Sequence, residues 1–325
     1  MPLGYEAVAP MALQPGWMAR FASRSRASFS QLADSGLNYV IQTEHSVSHS
    51  ARPAQALYRA LWIVAALSAA QAPTLQAFQF GVVRMGEDVA AAFADYVAAA
   101  DTQFERRLAG DSPFLWGKQD QARAKALARG NVVVDPTPIP NTRETPGGLI
   151  HDWTGALLVP HADAERLVAV VSAYDTHADT YGPGVVHSRI LERDGTKMRV
   201  AMRLLKKNVL TAVLETEHAV EFDRLDSERW WGRAASTSIR EVVRGGKPDE
   251  SLRPPGHDRG FLWQMVVYWR FADTPEGAVV EHRSISLTRS PPKGLRWVLR
   301  PVLDGLPRRS LANILGTTSD AALVP

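Results

Sequence analysis

The sequence predicts an α+β fold in which a long antiparallel sheet is covered by a C-terminal helical segment. Residues 149–289 alternate between apolar and polar positions over segments of strand length, with Gly, Pro and Asp residues between them. Residues 290–324 instead read as helical segments interrupted by Pro301 and Pro307. An antiparallel sheet must bury its apolar face, so we expect the C-terminal segment to lie against that face.

Two helices are predicted ahead of the sheet. Residues 87–108 place apolar side chains at helical spacing, and Gly110 follows as a natural end residue. Residues 118–128 predict a second, largely charged helix that ends before Gly130. The sequence leaves open whether these helices pack on the outer side of the sheet or act as a lid.

The composition divides the chain into five parts. Residues 1–51 are polar and Ser-rich, 52–72 have the pattern of a signal peptide, and 73–134 hold the two helices. Residues 135–148 carry four prolines and two glycines, which is typical of a linker. We therefore place the main domain boundary in that linker and assign residues 149–325 to the sheet domain.

The strands follow from the alternation and from turn signals between them. Pro160 ends the first strand, Asp163 can cap a short helix after it, and Asp194-Gly195 predicts a hairpin. The predicted strands are 149–160, 185–195, two strands within 198–222 that are broken at 206–208, 233–243, 261–271 and 278–289.

The strand 261–271, FLWQMVVYWRF, concentrates bulky apolar side chains on one predicted face. Its odd positions are all apolar: Phe261, Trp263, Met265, Val267, Trp269 and Phe271. Its even positions are a mixed set. Such a face either packs against a solid core or lines a cavity shaped for an apolar molecule.

The following strand carries two charged residues in the middle of one predicted face. That face holds Val279, Glu281, Arg283, Ile285 and Leu287, whereas the opposite face is polar and suits solvent. If Glu281 and Arg283 point inward beside Trp269, they enter an apolar chamber and pair with each other, because buried charges are costly unless paired. A fully packed apolar core has little reason to hold such a pair, so we favour the cavity wall.

Three uses of this charged pair remain open at the level of sequence. The pair could be structural, or a reversed register could leave both groups in solvent. It could anchor a ligand. Finally, Glu281 could act as a general acid or base, because an apolar setting raises the pKa of a carboxyl group toward neutral.

The chamber lining extends to neighbouring strands. Met198 and Met202 alternate along one strand, and Trp153 lies on the first; the alternative is that these three are plain core. We predict ligand-binding residues at Trp153, Met198, Met202, Trp263, Met265, Trp269, Glu281 and Arg283.

Composition limits the other classes of function. The net charge is +3 without a run of five or more like charges, so no nucleic-acid partner is predicted. The chain has no cysteine, and its nine histidines show no metal-ligand spacing, so neither a metal nor a cofactor is predicted. The basic side chains of Arg199, Arg203, Lys206 and Lys207 are best interpreted as a solvated outer face, and the alternative is a transient contact with acidic lipid head groups. The oligomeric state is not predicted.

Residues 52–72 have the organisation of a secretory signal peptide. Two arginines precede an uncharged apolar run from Ala60 to Ala70, which ends in small residues. The run is shorter than the roughly 20 residues of a membrane span. We expect translation to start nearer this segment, at Val47 or Leu57, and the product to be periplasmic or secreted. The alternative is a buried Ala-rich helix behind a polar tail in a cytoplasmic protein.

Several segments resemble the START-like (SRPBCC) superfamily. They are GGLIHDWTGALLVP (147–160), MRLLKKNVLTAVLETEH (202–218), GFLWQMVVYWRF (260–271), EHRSISLTR (281–289) and GLRWVLRPVLDGLPRRSL (294–311). Within the superfamily they are similar to exported bacterial proteins of undefined function, in which a signal peptide precedes a helical stretch containing FLW, here Phe114-Leu115-Trp116. The resemblance implies a helix-grip fold, a curved antiparallel sheet wrapped on a long C-terminal helix.

The same resemblance implies a function. It predicts a protein that binds a lipid or another hydrophobic small molecule between sheet and helix, without catalysis. The alternative is a cyclase-, aromatase- or hydrolase-like enzyme with Glu281 as acid or base and with help from His151 or Tyr174. A third reading is a structural domain whose chamber is filled by its own side chains.

Overall fold

A computed structural model of the chain describes residues 81–139, 145, 147–207, 211–290 and 296–324, and leaves out the side chains of residues 207 and 296–306. The predicted polar tail (1–51) and signal-peptide segment (52–72) lie outside the described residues. So do residues 140–144 and 146 of the predicted linker.

The long helices and strands occur in the order expected from the sequence, together with several short elements that the sequence did not predict. The helices are α1 (Glu87–Leu108), α2 (Gln121–Ala128), α3 (Ala164–Ser172), α4 (His177–Thr180) and α5 (Arg296–Leu323), with 3₁₀ turns at Trp116–Gln119 and Tyr174–Thr176. The strands are β1 (Val83–Arg84), β2 (Val133–Pro136), β3 (Gly148–Pro160), β4 (Val185–Asp194), β5 (Lys197–Lys207), β6 (Thr211–Arg224), β7 (Arg229–Val243), β8 (Ser251–Leu252), β9 (His257–Asp258), β10 (Gln264–Thr274) and β11 (Gly277–Arg289).

Most of the described strands form one large antiparallel sheet. Its strands run in the order β2-β3-β11-β10-β7-β6-β5-β4, and β8 pairs with β7 at the side. The strands β1 and β9 form a separate short pair. The first long strand, β3, therefore lies beside the last, β11, near one end of the order.

The register of the strands assigns every residue to one of two faces. Residues paired directly across antiparallel strands point to the same side. Trp269 pairs with His282, whereas Tyr268 pairs with Arg283. We call the face that holds Trp269 the inner face and the face that holds Tyr268 the outer face.

The inner face is covered by α3 and α5, and this contact forms the main core. Residues from the sheet and both helices are buried together there: Leu157, Val159, Leu167, Val168, Val171, Val267, Trp269, Phe271, Val280, Leu315 and Ala322. Asp163 caps α3 as predicted, because its Oδ1 accepts a hydrogen bond of 2.7 Å from the N–H of Arg166.

The outer face is covered by α1, which begins and ends at the predicted residues 87 and 108. Its buried stripe of Val89, Phe93, Tyr96, Ala100 and Phe104 packs on Val266, Tyr268, Ile285 and Leu287 of the sheet. Burying a large apolar side chain contributes about 1.5–3 kcal/mol, so this second core is a major source of stability. Of the two possibilities left open by the sequence, the helix takes the outer side of the sheet.

The predicted boundary at 135–148 does not separate two packing units. Residues Val133–Pro136 form β2, which pairs with Ala156 to Trp153 of β3 and thus belongs to the same sheet. The FLW segment also packs on this sheet, since Leu115 is buried in one cluster with Leu158, and Trp116 is buried in another with Ala156. The first residues of the predicted linker, Asp135 and Pro136, therefore belong to the sheet.

The C-terminal segment is one helix, α5, and not the interrupted segments predicted from Pro301 and Pro307. Each proline removes one backbone donor from the helix interior, but packing of Leu311, Leu315 and Ala322 on the sheet stabilises the helix beyond them. The arrangement is therefore α+β with a helix-grip fold, as predicted. Among the described residues, no helix is long and apolar enough to span a membrane.

Candidate ligand-binding face

The inner face has a sealed end beneath α3 and the last turns of α5. Trp269 stacks on Phe271 with ring centroids 5.9 Å apart, and Phe222 packs on Phe271 at 6.5 Å. These rings are buried together with Val280 and Leu315. This end of the face behaves as an ordinary solid core.

At its other end the same face remains partly accessible, and we call this region the open end. Its side chains are half-buried: His151, Trp153, Met202, Ser236, Met265, Ser284 and Ser286. They come from five different strands and combine an imidazole, an indole, two thioethers and three hydroxyl groups.

The register shows that these half-buried side chains form a continuous surface. Ser284 pairs with Trp153, and Ser286 pairs with both His151 and Met265. The N–H of Met265 donates to Ser236 Oγ at 2.9 Å, which joins β10 to β7 at this level. Met265 and Met202 also pack against one shared cluster that includes Leu204 and Ile239.

Two buried histidines lie on the inner face next to the open end. His282 is 4% exposed and lies two residues before Ser284 on β11; His218 is 1% exposed and pairs with Ser236. Among the described residues, neither ring nitrogen of His282 has a hydrogen-bond partner, and His218 Nε2 has none either. A buried polar group without a partner destabilises a fold by about 1–3 kcal/mol, so these positions call for an explanation.

Both histidines are neutral under ordinary conditions. Burial disfavours the charged imidazolium and lowers the pKa of His282 to about 3 and that of His218 to about 4. A neutral imidazole carries one N–H donor and one nitrogen acceptor. Each ring therefore offers uncharged hydrogen-bonding groups within an apolar region.

The structure corrects the predicted position of Glu281 and Arg283. Both lie on the outer face beneath α1, because Trp269 pairs with His282 and the residues on either side of His282 must point the other way. The face predicted to suit solvent, with His282, Ser284 and Ser286, is the one that faces inward.

The two charged residues also do not pair with each other. Glu281 accepts from Arg270 Nε at 2.8 Å and from the N–H of Gly117 at 3.2 Å. Arg283 forms a bidentate pair with Asp152, through Nε at 2.9 Å and Nη2 at 2.6 Å. Because Glu281 points away from the inner face, it is not placed to act as acid or base on a molecule bound there.

Trp263 is likewise not part of the inner face. It precedes β10, so the alternation of the strand does not extend to it. It packs in the outer core with Val89 of α1, and its indole N–H donates to Asp258 Oδ1 at 3.0 Å.

The remaining predicted residues share the inner face. Trp153, Met202 and Met265 lie at the open end, whereas Met198 and Trp269 are buried in the sealed core. Sequence reasoning missed His218 and His282, and it assigned Ser284 and Ser286 to solvent.

Comparison with known proteins gives a likeness in fold. No family model matches the chain, and no curated protein matches it. A STAR-related lipid transfer protein from Xanthomonas axonopodis is 11% identical over 56% of this chain and 94% of its own length, with a TM-score of 0.36. Human STARD10 is 10% identical over 63% and 79%, with a TM-score of 0.37. The Zhui aromatase/cyclase from Streptomyces sp. R1128 is 15% identical over 54% and 92%, with a TM-score of 0.34.

The chain has the helix-grip arrangement. The strand, short helix, antiparallel strands and covering C-terminal helix predicted from the sequence are all present, so that prediction is confirmed.

On the side of the sheet away from α5, the outer layer is fixed to the sheet by buried polar contacts. Tyr96 O–H donates to Asp152 Oδ2 at 2.8 Å and accepts from the N–H of Ile139 at 2.8 Å. Arg283 Nη1 donates to Gln103 Oε1 at 3.1 Å. The charged pairs at the centre of the outer face therefore connect α1 to β3 and β11, which is a structural role.

Proposed function

We propose that this protein binds a lipid or another hydrophobic small molecule at the open end of the inner face, between the sheet and α5. The observation that carries the proposal is the continuous half-buried surface from Trp153 through Ser284 to Met265. Ligand sites are mostly apolar with a few polar groups that fix orientation, and thioether side chains adapt readily to irregular apolar shapes.

Native mass spectrometry of the purified protein, before and after extraction with organic solvent, tests this proposal. The expected result is a co-purifying apolar molecule that extraction removes. Ser284→Phe places a ring within the open end, so we expect it to reduce the bound fraction. Thr237→Phe introduces the same ring on β7 and is the control, because Thr237 is exposed. A protein that carries no apolar molecule and takes up none from a mixture of lipids would contradict the proposal.

We further propose that the protein is exported and acts in the periplasm or outside the cell. The support is the basic flank, short apolar run and small residues of segment 52–72. N-terminal sequencing of the native protein tests this. A mature end near Gln71 is expected, and an intact Met1 would overturn export while leaving the binding proposal unaffected.

A further inference from the structure

The polar groups nearest the open end indicate the chemistry of the ligand. His282 lies one step along the inner face from half-buried Ser284. Its ring stacks on Trp269 with centroids 4.0 Å apart and planes at 12°, which fixes the plane of the imidazole. Both ring nitrogens are buried and have no partner in the described part of the chain.

Among the described residues, no neighbouring group on the sheet forms a hydrogen bond with a ring nitrogen of His282. Directly across β3 it pairs with Gly155, which has no side chain, and across β10 it pairs with Trp269, whose ring lies parallel to its own. The adjacent inner-face residue in the other direction is the apolar Val280. The direction that leads to other polar groups is toward Ser284 and the open end.

We infer that His282 holds an uncharged oxygen atom of the bound molecule, such as the oxygen of an alcohol, ester or ketone. This inference rests on the proposed binding function and specifies the ligand class. An apolar chain would contact Trp153, Met202 and Met265, but it has no atom that can form a hydrogen bond with the imidazole. A hydroxyl group can both donate and accept, so it matches either nitrogen of a neutral ring.

A charged headgroup fits this position poorly. Among the described residues, no opposite charge is placed to meet a carboxylate next to His282, because the arginines near the middle of the sheet, Arg270 and Arg283, are on the outer face and already paired. Unpaired buried charges are strongly unfavourable. The geometry therefore favours a neutral polar lipid over a fatty-acid anion.

Competition between dodecanol and dodecane for displacement of a fluorescent apolar dye tests the inference. These probes share a chain length and differ by one hydroxyl group. Satisfying a buried polar group and gaining one hydrogen bond corresponds to roughly tenfold tighter binding of dodecanol to the wild-type protein. In His282→Phe, which keeps a planar ring against Trp269, we expect this preference to fall to about threefold or less.

Two other histidines serve for comparison. His177 is buried, but its Nε2 contacts the carbonyl oxygen of Val171 at 3.0 Å. His177→Phe should therefore keep the preference for dodecanol. His218, whose Nε2 also lacks a partner among the described residues, is the rival position: loss of the preference in His218→Phe but not in His282→Phe would overturn the assignment to His282.

The other outcomes separate this inference from the proposed function. Equal binding of both probes by the wild-type protein would overturn the inference and leave hydrophobic-ligand binding intact. Failure of the dye and of both probes to bind would overturn both. If His282→Phe does not fold, nitrogen-15 chemical shifts of the His282 ring in the wild-type protein decide: a shift with dodecanol but not dodecane is expected, and an unchanged ring overturns the inference.

Discussion

His282 stacks face to face on Trp269, with ring centroids 4.0 Å apart, at the boundary between the sealed core and the open end of the inner face. The stack joins a polar group without partners in the described part of the chain to the most aromatic part of the core. The packing of the sealed end therefore determines the position of the imidazole relative to the open end.

Trp269→Ala should therefore strongly destabilise the protein. The indole is buried against His282 and against Phe271, 5.9 Å away, so truncation leaves a large cavity. Removal of a buried Trp or Phe side chain lowers the free energy of unfolding by about 3–5 kcal/mol, and urea denaturation measures the change. Trp230, half-buried at the same sheet, is the comparison: Trp230→Ala should be less destabilising. Equal losses at the two sites would contradict the central place of the stack.

The buried pair of Asp152 and Arg283 predicts a second stability effect. Asp152→Leu leaves the Arg283 guanidinium buried without its partner, which lowers the free energy of unfolding by about 3–5 kcal/mol. The double variant Asp152→Leu, Arg283→Met should recover part of this loss, because the unpaired charge is gone. Chemical denaturation of the four proteins in the cycle measures the coupling.

The pair formed by Arg244 and Asp249 is the control for that cycle, because its side chains are 65% and 52% exposed. Exposed ion pairs contribute about 0–1 kcal/mol, so Asp249→Leu should have little effect. If breaking the buried pair changed the free energy of unfolding as little as breaking this exposed pair, the outer layer would be held by apolar packing alone.

The close approach of α5 to the sheet predicts an effect of Gly155→Ala. A Cβ atom at Gly155 would lie 2.8 Å from Leu315 Cδ1 and 3.3 Å from Leu311 Cδ2. The helix must shift or the side chains must leave their preferred rotamers, which destabilises the protein by about 1–3 kcal/mol. Thermal unfolding measures this. Gly184→Ala is the control, because its Cβ would meet only the carbonyl oxygen of Tyr181, at an ordinary 3.5 Å.

Local sequence patterns predicted the elements well because each pattern depends on neighbouring residues only. The helical period of 87–108 gave the bounds of α1, and the polar residues near 206–208 marked the break between β5 and β6. Which sheet face each strand presents to α5 depends on pairing between strands. That is why Glu281 and Arg283 were assigned to the wrong side.

One signal in the sequence could have corrected this assignment. The hairpin between β10 and β11 has a two-residue loop, Pro275-Glu276, closed by Thr274 paired with Gly277. A two-residue loop fixes the register, and that register places even residues of β11 beside odd residues of β10. The burial of His282 could not be predicted from the register alone. Its face of the strand is locally polar, and the residue is buried only because helices cover that face.

Acid should destabilise the protein partly through its buried histidines. Burial lowers the pKa of His282 to about 3, and it lowers the pKa of His177 and of His218 to about 4. The unfolded chain binds protons on these rings near the ordinary pKa of about 6.5, so below that pH the unfolded state holds more protons than the folded state. Stability is therefore full above about pH 6.5 and decreases as the pH falls toward 4, by up to about 1.4 kcal/mol per pH unit for each histidine.

Urea denaturation at about pH 7.5 and about pH 5 measures this dependence in the wild-type protein and in His282→Phe. The variant should lose less stability between the two pH values, because one proton-binding site of the unfolded chain is missing. Carboxyl groups contribute equally to both proteins, so the difference isolates the histidine. At the higher pH, the variant should be no less stable than the wild-type protein, since it removes two buried ring nitrogens that lack partners among the described residues. Identical pH dependence in both proteins would mean that His282 binds its proton equally well in the folded and unfolded states, which would contradict the lowering of its pKa by burial.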